Sequence, residues 1–299
     1  MKKSALFLLS LSLIAASCTK DDEDNTTTST GNTTKSMTLN LSNLAPVEAD
    51  ERYEGWVIVD GAPVSTGLFT VSDQGVLSET TFDIPTATLD AATAFVLSIE
   101  PFPDTDPAPS DIKVLGGAFN SATAMVDVSH MAALGSTYNT ASATYILATP
   151  TTNDMMDELS GVWFLDNSSG SPMQGLNLPS LPANWVYEGW AVMNGMPIST
   201  GRFTALDMQD DAANFSGMDG TGPSYPGEDF IQNAPAGLSF PTDLTNATIV
   251  ISIEPQPDNS PKPFAFKPFV SMPAGASAHT AISMTNQVDS NFPSGTVTR

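Results

Sequence analysis

The chain has 299 residues, with 10 basic and 33 acidic side chains and a formal net charge of −23. A surface of that sign repels phosphate backbones and excludes nucleic-acid binding as the expected role. Apolar residues make up 41% and charged residues 14%, with 21 Gly and 23 Pro, a balance that fits a turn-rich β-protein better than a helical bundle.

Residues 1–18 read "MKKSALFLLSLSLIAASC", with Lys2 and Lys3 ahead of an apolar run from Ala5 to Ala16. This predicts a secretory signal peptide, too short for a spanning helix. It ends on Cys18, the one cysteine of the chain. "IAASC" resembles a bacterial lipoprotein processing site, with Ala15 where a branched apolar residue is usual. The resemblance implies lipidation of Cys18 and a membrane anchor; the alternative is a thiol lost with a removed peptide. The rest of the chain has no cysteine, so its core is expected to suffice without disulfides. Residues 19–36, "TKDDEDNTTTSTGNTTKS", are polar and free of aromatics, which predicts a flexible tether. Lys20-Asp21-Asp22-Glu23 resembles the acidic surface-export signal of Bacteroidetes lipoproteins. It implies an outer-membrane lipoprotein displayed at the cell surface, with a periplasm-facing protein on a solvated linker as the alternative.

"YEGWVIVDGAPVSTGLFT" (53–70) returns as "YEGWAVMNGMPISTGRFT" (187–204), with 11 of 18 positions identical. In the first copy Tyr53, Gly55, Val57 and Val59 alternate with Glu54, Trp56, Ile58 and Asp60, the period of a strand. Asp60-Gly61, replaced by Asn194-Gly195 in the second copy, signals a tight hairpin, because both central positions of such a turn need positive φ. A second block, "AFVLSIEPFPD" (94–104), returns as "TIVISIEPQPD" (248–258), with 7 of 11 identical. Both runs stop at Glu-Pro, where Pro removes a ladder donor. "LNLSNL" (39–44) and "LNLPSL" (176–181) precede the hairpins in the same order. The pattern predicts an all-β fold of two tandem antiparallel β-sandwich modules, residues 37–140 and 141–290. Further strands are expected at 80–84, 112–118, 122–128, 143–149, 161–166, 264–271 and 279–285, with one helical turn in "TTNDMMDELS" (151–160). The second module carries about 20 extra residues within 205–247. This Gly/Pro-rich text reads as a long surface loop, the kind that often carries function.

The hairpin segment together with "LSIEPFPDTDPAPSDIKVLGG" resembles the extracytoplasmic C-terminal domain of anti-sigma-K factors. The resemblance covers most of both modules. It implies a β-fold outside the cytoplasm. The cytoplasmic sigma-binding domain and transmembrane helix of that family have no counterpart ahead of the segment, so the resemblance does not extend to direct sigma-factor binding.

Candidates for chemistry are few. His130 and His279 are the only histidines and no G-x-S-x-G occurs, so a His-based nucleophilic centre is not expected. The ligand types for zinc are too few, and Asp104, Asp106 and Asp111 lack EF-hand spacing; no metal and no cofactor is predicted. The "GMDGTG" run (217–222) has no βαβ context for a phosphate loop. Glu54 and Glu100 recur as Glu188 and Glu254. A glycosidase pair is conceivable from their type, but carboxylates capping backbone donors or meeting the Ser-Thr of "STG" are the preferred expectation. Tyr53, Glu54, Trp56 and Glu100, with Tyr187, Glu188, Trp190 and Glu254, then form the structural signature of the repeat, and Trp56 and Trp190 are expected to fill cores. Trp185, Tyr225, Glu228, Asp229 and Phe230 are the candidates for partner binding, Trp185 as an exposed aromatic and the others from the extra segment. The expectation is a non-enzymatic envelope lipoprotein that acts as an interaction or sensing module; the alternative is a carbohydrate- or protein-binding accessory lipoprotein. The partner is an unidentified envelope protein or glycan.

Overall fold

The computed structural model describes residues 33–258, 260–273 and 275–299. The expected signal peptide, Cys18 and nearly all of the expected tether lie outside the described residues. The tether's last residues do not: β1 (Thr34–Ser42) already begins there. Lys35 reaches Asp90 at 2.9 Å and Ser36 donates to Asp83 at 2.8 Å. Polar residues can occupy such a strand because residues 34–38 pair with β4 and residues 38–42 with β20, while Met37 and Leu39 alternate into the core.

The first half continues with β2 (Glu51–Val59), β3 (Ala62–Phe69), β4 (Thr81–Pro85), helix α1 (Thr86–Ala91), β5 (Ala94–Pro101), β6 (Lys113–Asn120) and β7 (Thr123–Asp127). The second half contains β8 (Ser142–Leu147), β9 (Gly161–Trp163), β10 (Leu165–Asp166), β11 (Met173–Gln174), β12 (Leu176–Asn177), β13 (Trp185–Met193), β14 (Met196–Phe203) and β15 (Gly227–Asp229). After a 3-10 turn at Leu244–Asn246 come β16 (Thr248–Pro255), β17 (Phe269–Ser271), β18 (Ile282–Ser283), β19 (Thr285–Asn286), helix α2 (Val288–Asn291) and β20 (Ser294–Thr298). The fold is nearly all β, and every pairing described is antiparallel. Residues 151–160 form turns and not the expected helical turn; α1, which the sequence did not suggest, spans only six residues.

Eight strands form the largest sheet, in the order β3-β2-β5-β6-β7-β20-β1-β4. The C-terminal strand thus sits between two strands of the N-terminal half: Val297 pairs with Leu39 on one side and Ala124 on the other. Arg299 fixes this end. Its guanidinium donates to the carbonyls of Leu89 at 2.7 Å and Ala92 at 2.5 Å, satisfying carbonyls at the end of α1, and lies 4.4 Å from the Phe119 ring centroid. A second sheet, β14-β13-β16-β17-β19, carries the later hairpin, and β12-β8-β9-β15 forms a third. One hydrophobic cluster draws on both halves, including Tyr53, Val57 and Phe95 from the first and Tyr187, Ile251 and Phe269 from the second. Residues 33–299 are one compact unit.

The two hairpins share their geometry in detail. Asp60 and Gly61 have φ of 50° and 79°, and Asn194 and Gly195 have 52° and 79°, which is the left-handed pair that a two-residue turn requires. The register slips between Gly55 and Trp56, and again between Gly189 and Trp190, a bulge at the same place in each. Tyr53 stacks on Phe69 at 5.5 Å, and Tyr187 on Phe203 at 5.7 Å. The hydroxyl of Tyr53 donates to Ala45 at 2.9 Å, and that of Tyr187 to Pro179 at 2.7 Å, so each ring is buried while its polar end is satisfied.

Candidate functional site

Both faces of β2 and β13 are covered. Tyr53 and Val57, like Tyr187 and Ala191, face the main hydrophobic cluster. Trp56 and Trp190 are each only 3% exposed but belong to no part of that cluster. They are buried as expected, but outside the main hydrophobic cluster. A strand alternates its side chains, so a Trp three residues after the core-facing Tyr emerges on the opposite face with the intervening Glu.

On that face each Trp closes a polar chain. Trp56 Nε1 donates to Ser98 Oγ at 2.8 Å, and Ser98 donates to Glu100. Glu100 also accepts the backbone N–H of Ser110 at 2.9 Å on both oxygens. Ser65 donates to Glu54. In the second hairpin Trp190 Nε1 donates to Ser252 Oγ at 2.8 Å, Ser252 to Glu254, and Ser199 to Glu188. Glu254 accepts Phe264 N at 2.8 and 3.1 Å. The recurring carboxylates thus cap the loop after the Glu-Pro strand end and meet the serine of "STG", as the sequence suggests. Glu100 is 1% exposed and Glu254 is fully buried; the hydrogen bonds offset the cost of that burial.

The two faces differ in electrostatics. Burial raises Glu54 above the usual glutamate range, opposed by the Ser65 hydroxyl and reinforced by Glu100 and Asp104. Burial pushes Glu188 up to about 7, opposed by Ser199 and by Arg202 and reinforced by Asp258 and Asp211. Glu254 is likewise pushed up to about 7 by burial, opposed by Ser252 and the Phe264 N–H, with Asp258 and Glu188 adding to it. One carboxylate oxygen each from Glu188, Glu254 and Asp258 lie within 4.8 Å of one another. Asp258 was visible in the sequence only as a leftover of the Pro-rich loop; its approach to the two glutamates comes from the sheet.

The partner-binding candidates are placed otherwise than expected. Trp185 is 3% exposed and packs on Phe266 at 5.4 Å and Phe264 at 5.8 Å; those aromatics arrive from the far side of the Pro-rich loop. Glu228, Asp229 and Phe230 are fully buried, and Tyr225 is half-buried. Phe230 stacks on Phe215 at 5.8 Å and meets Phe240 at 5.5 Å. The 205–247 segment is therefore not a plain surface loop: β15 within it pairs with β9. Asp229 accepts Thr151 N at 2.8 Å, Thr151 Oγ1 at 2.5 Å and Trp163 Nε1 at 2.7 Å. Asp210 accepts Gly227 N at 2.8 Å and Ala212 N at 3.3 Å, and burial pushes it up to about 7. The "GMDGTG" glycines serve close approach: a Cβ on Gly222 would run into the Trp163 ring, and Gly217 N donates to Thr151 Oγ1 at 2.7 Å. What this segment leaves to solvent includes Met208 and Met218, 61% and 90% exposed.

The remaining candidates stay apart. His279 Nε2 lies 2.9 Å from Glu158, while His130 Nδ1 accepts Ala132 N at 3.3 Å. Asp104 and Asp106 cap N–H groups of their own loop at 2.8 and 3.0 Å, and Asp111 faces Lys113 at 4.0 Å.

A family model described as anti-sigma-K factor rskA, C-terminal, matches residues 10–112. No curated protein and no solved structure matches the chain. Over the described part of the matched span, from β1 to the loop before β6, the chain is similar to the C-terminal domain of anti-sigma-K factors.

Proposed function

We propose that this protein is a cell-envelope lipoprotein, anchored through Cys18, in which a duplicated anti-sigma-K C-terminal-like module serves as a non-enzymatic interaction or sensing platform outside the cytoplasm. One observation carries the non-enzymatic part: Glu100 and Glu254 are buried and turned inward onto their own serine and loop N–H, out of reach of a substrate. A general acid or nucleophile needs an oxygen within reach of a bound substrate. The family similarity supports a protein-interaction role and the repeated hairpin supports duplication. The acidic chain argues against a nucleic-acid partner.

The test follows the full chain in cells given labelled palmitate. Label and membrane fractionation should both vanish in Cys18→Ala; a labelled variant, or an unlabelled cytoplasmic wild type, overturns the anchor. Mature protein immobilised against an envelope extract and against a glycan array then separates a protein-binding module from a carbohydrate-binding accessory protein. Hydrolysis of any arrayed glycan would overturn the non-enzymatic role.

A further inference from the structure

The carboxylates of Glu188, Glu254 and Asp258 come together on the outer face of the β13–β16 pair, with one oxygen from each inside a 4.8 Å span. Glu188 is 5% exposed, and while its Oε1 accepts from Ser199, its Oε2 is buried and has no hydrogen-bond partner. A buried, unpartnered carboxylate oxygen is costly unless something positive meets it. Among the described residues, no Lys, Arg or His nitrogen lies within 4.0 Å of these three carboxylates; Arg202 is committed to Asp211 at 3.0 Å. In the first hairpin Glu54 leaves no such buried orphan oxygen, and Glu54, Glu100 and Asp104 do not form a comparable group.

We propose that Glu188, Glu254 and Asp258 bind a hard divalent cation of calcium size. The donor set is all carboxylate oxygen, without imidazole or thiolate, which selects calcium-like ions over zinc or copper. Three carboxylates with a side open to water suit Ca2+, which accepts an irregular set of oxygens, better than Mg2+, which demands a near-ideal octahedron. Glu188 supplies the free Oε2 and Glu254 a carboxylate oriented by Ser252 and the Phe264 N–H. Asp258, half-buried and held through Oδ1 by Ser260 N at 2.8 Å, supplies the side open to solvent and to water ligands. Cation binding would tie the Pro-rich loop after β16 to the hairpin strand β13. The inference is independent of the proposed function.

Full-length protein stripped with chelator is titrated with CaCl2 by calorimetry at pH 7.5 and followed by thermal unfolding. The expected result is saturable binding near one ion per chain and a rise in Tm. Asp258→Asn and Glu188→Gln should each weaken binding at least about tenfold, while Glu54→Gln should leave it unchanged. Asp258→Asn alters a half-buried loop side chain, so it keeps the test open should Glu188→Gln fold poorly. Absence of a Tm shift at millimolar Ca2+ overturns the site. So does an equal shift in Asp258→Asn, which would mean diffuse screening of an acidic surface. An equal response to Mg2+ at matched ionic strength overturns the calcium selectivity.

Discussion

The two hairpins have the same frame but different polar faces. Turn, bulge, stacked Tyr–Phe pair and Trp–Ser–Glu chain agree between β2–β3 and β13–β14. Yet only the later one gathers a third carboxylate and leaves a buried carboxylate oxygen without a donor. A repeated scaffold therefore fixes where a carboxylate sits without fixing what it meets. Asp258 has an identical counterpart in Asp104, so the difference lies in where that aspartate is placed; the loop sequences diverge just beyond it.

Substitution of the paired tryptophans gives the largest effect. Trp56→Ala and Trp190→Ala should each cost about 3–5 kcal/mol, from the lost ring and from orphaning Ser98 or Ser252, measured by urea unfolding. Similar losses sharpen the equivalence of the two frames; a loss near zero at one position breaks it. Next is Asp229→Ala, which strips the partner from Trp163 Nε1 and two donors of Thr151. A loss of about 1–3 kcal/mol is expected. An unchanged midpoint would return the 205–247 segment to the status of a plain surface loop.

A third prediction concerns pH. Asp210 faces Glu228 and Asp211, which raise it further, and the N–H groups of Gly227 and Ala212, which lower it. Its folded pKa, about 7, stands above the usual 3.8. Between those values the folded state holds a proton that the unfolded state has released. Its contribution to stability is thus fully present below the unfolded value and is lost as pH rises to about 7. Glu188 and Glu254 add to the same slope. Thermal unfolding in chelator should show Tm falling from pH 5 to pH 7.5, and Asp210→Asn should flatten part of that fall. An unchanged slope in the variant would remove Asp210 from the account. The smallest effect is expected at the turns: Asp60→Ala and Asn194→Ala place alanine at positive φ, and each should cost about 1 kcal/mol, equally in both hairpins.

The hairpins were legible because their signals are local. Asp-Gly and Asn-Gly demand their turn, alternation sets the strand, and Glu-Pro ends its partner. Capping by Glu100 and Glu254 followed from the same text. Burial of Glu228, Asp229 and Phe230 did not, because Gly/Pro-rich polar sequence looks alike whether it is solvated or pressed against Thr151 and Trp163. Exposure of Trp185 was misjudged for the same reason: its covering rings, Phe264 and Phe266, lie about 80 residues downstream.

The sequence by itself determined the strand-rich class, the antiparallel hairpins and the chemistry available to them, since these rest on periods of two and on turn conformations set within a few residues. Tertiary structure alone decided three further things. β20 inserted between β7 and β1, where a five-residue strand carries no local mark of its neighbours. Trp56 and Trp190 were turned onto the polar face. Asp258 was brought against Glu188 across 70 residues of chain. Each is a contact between segments distant in sequence, fixed by sheet register and core packing rather than by any residue's own preference.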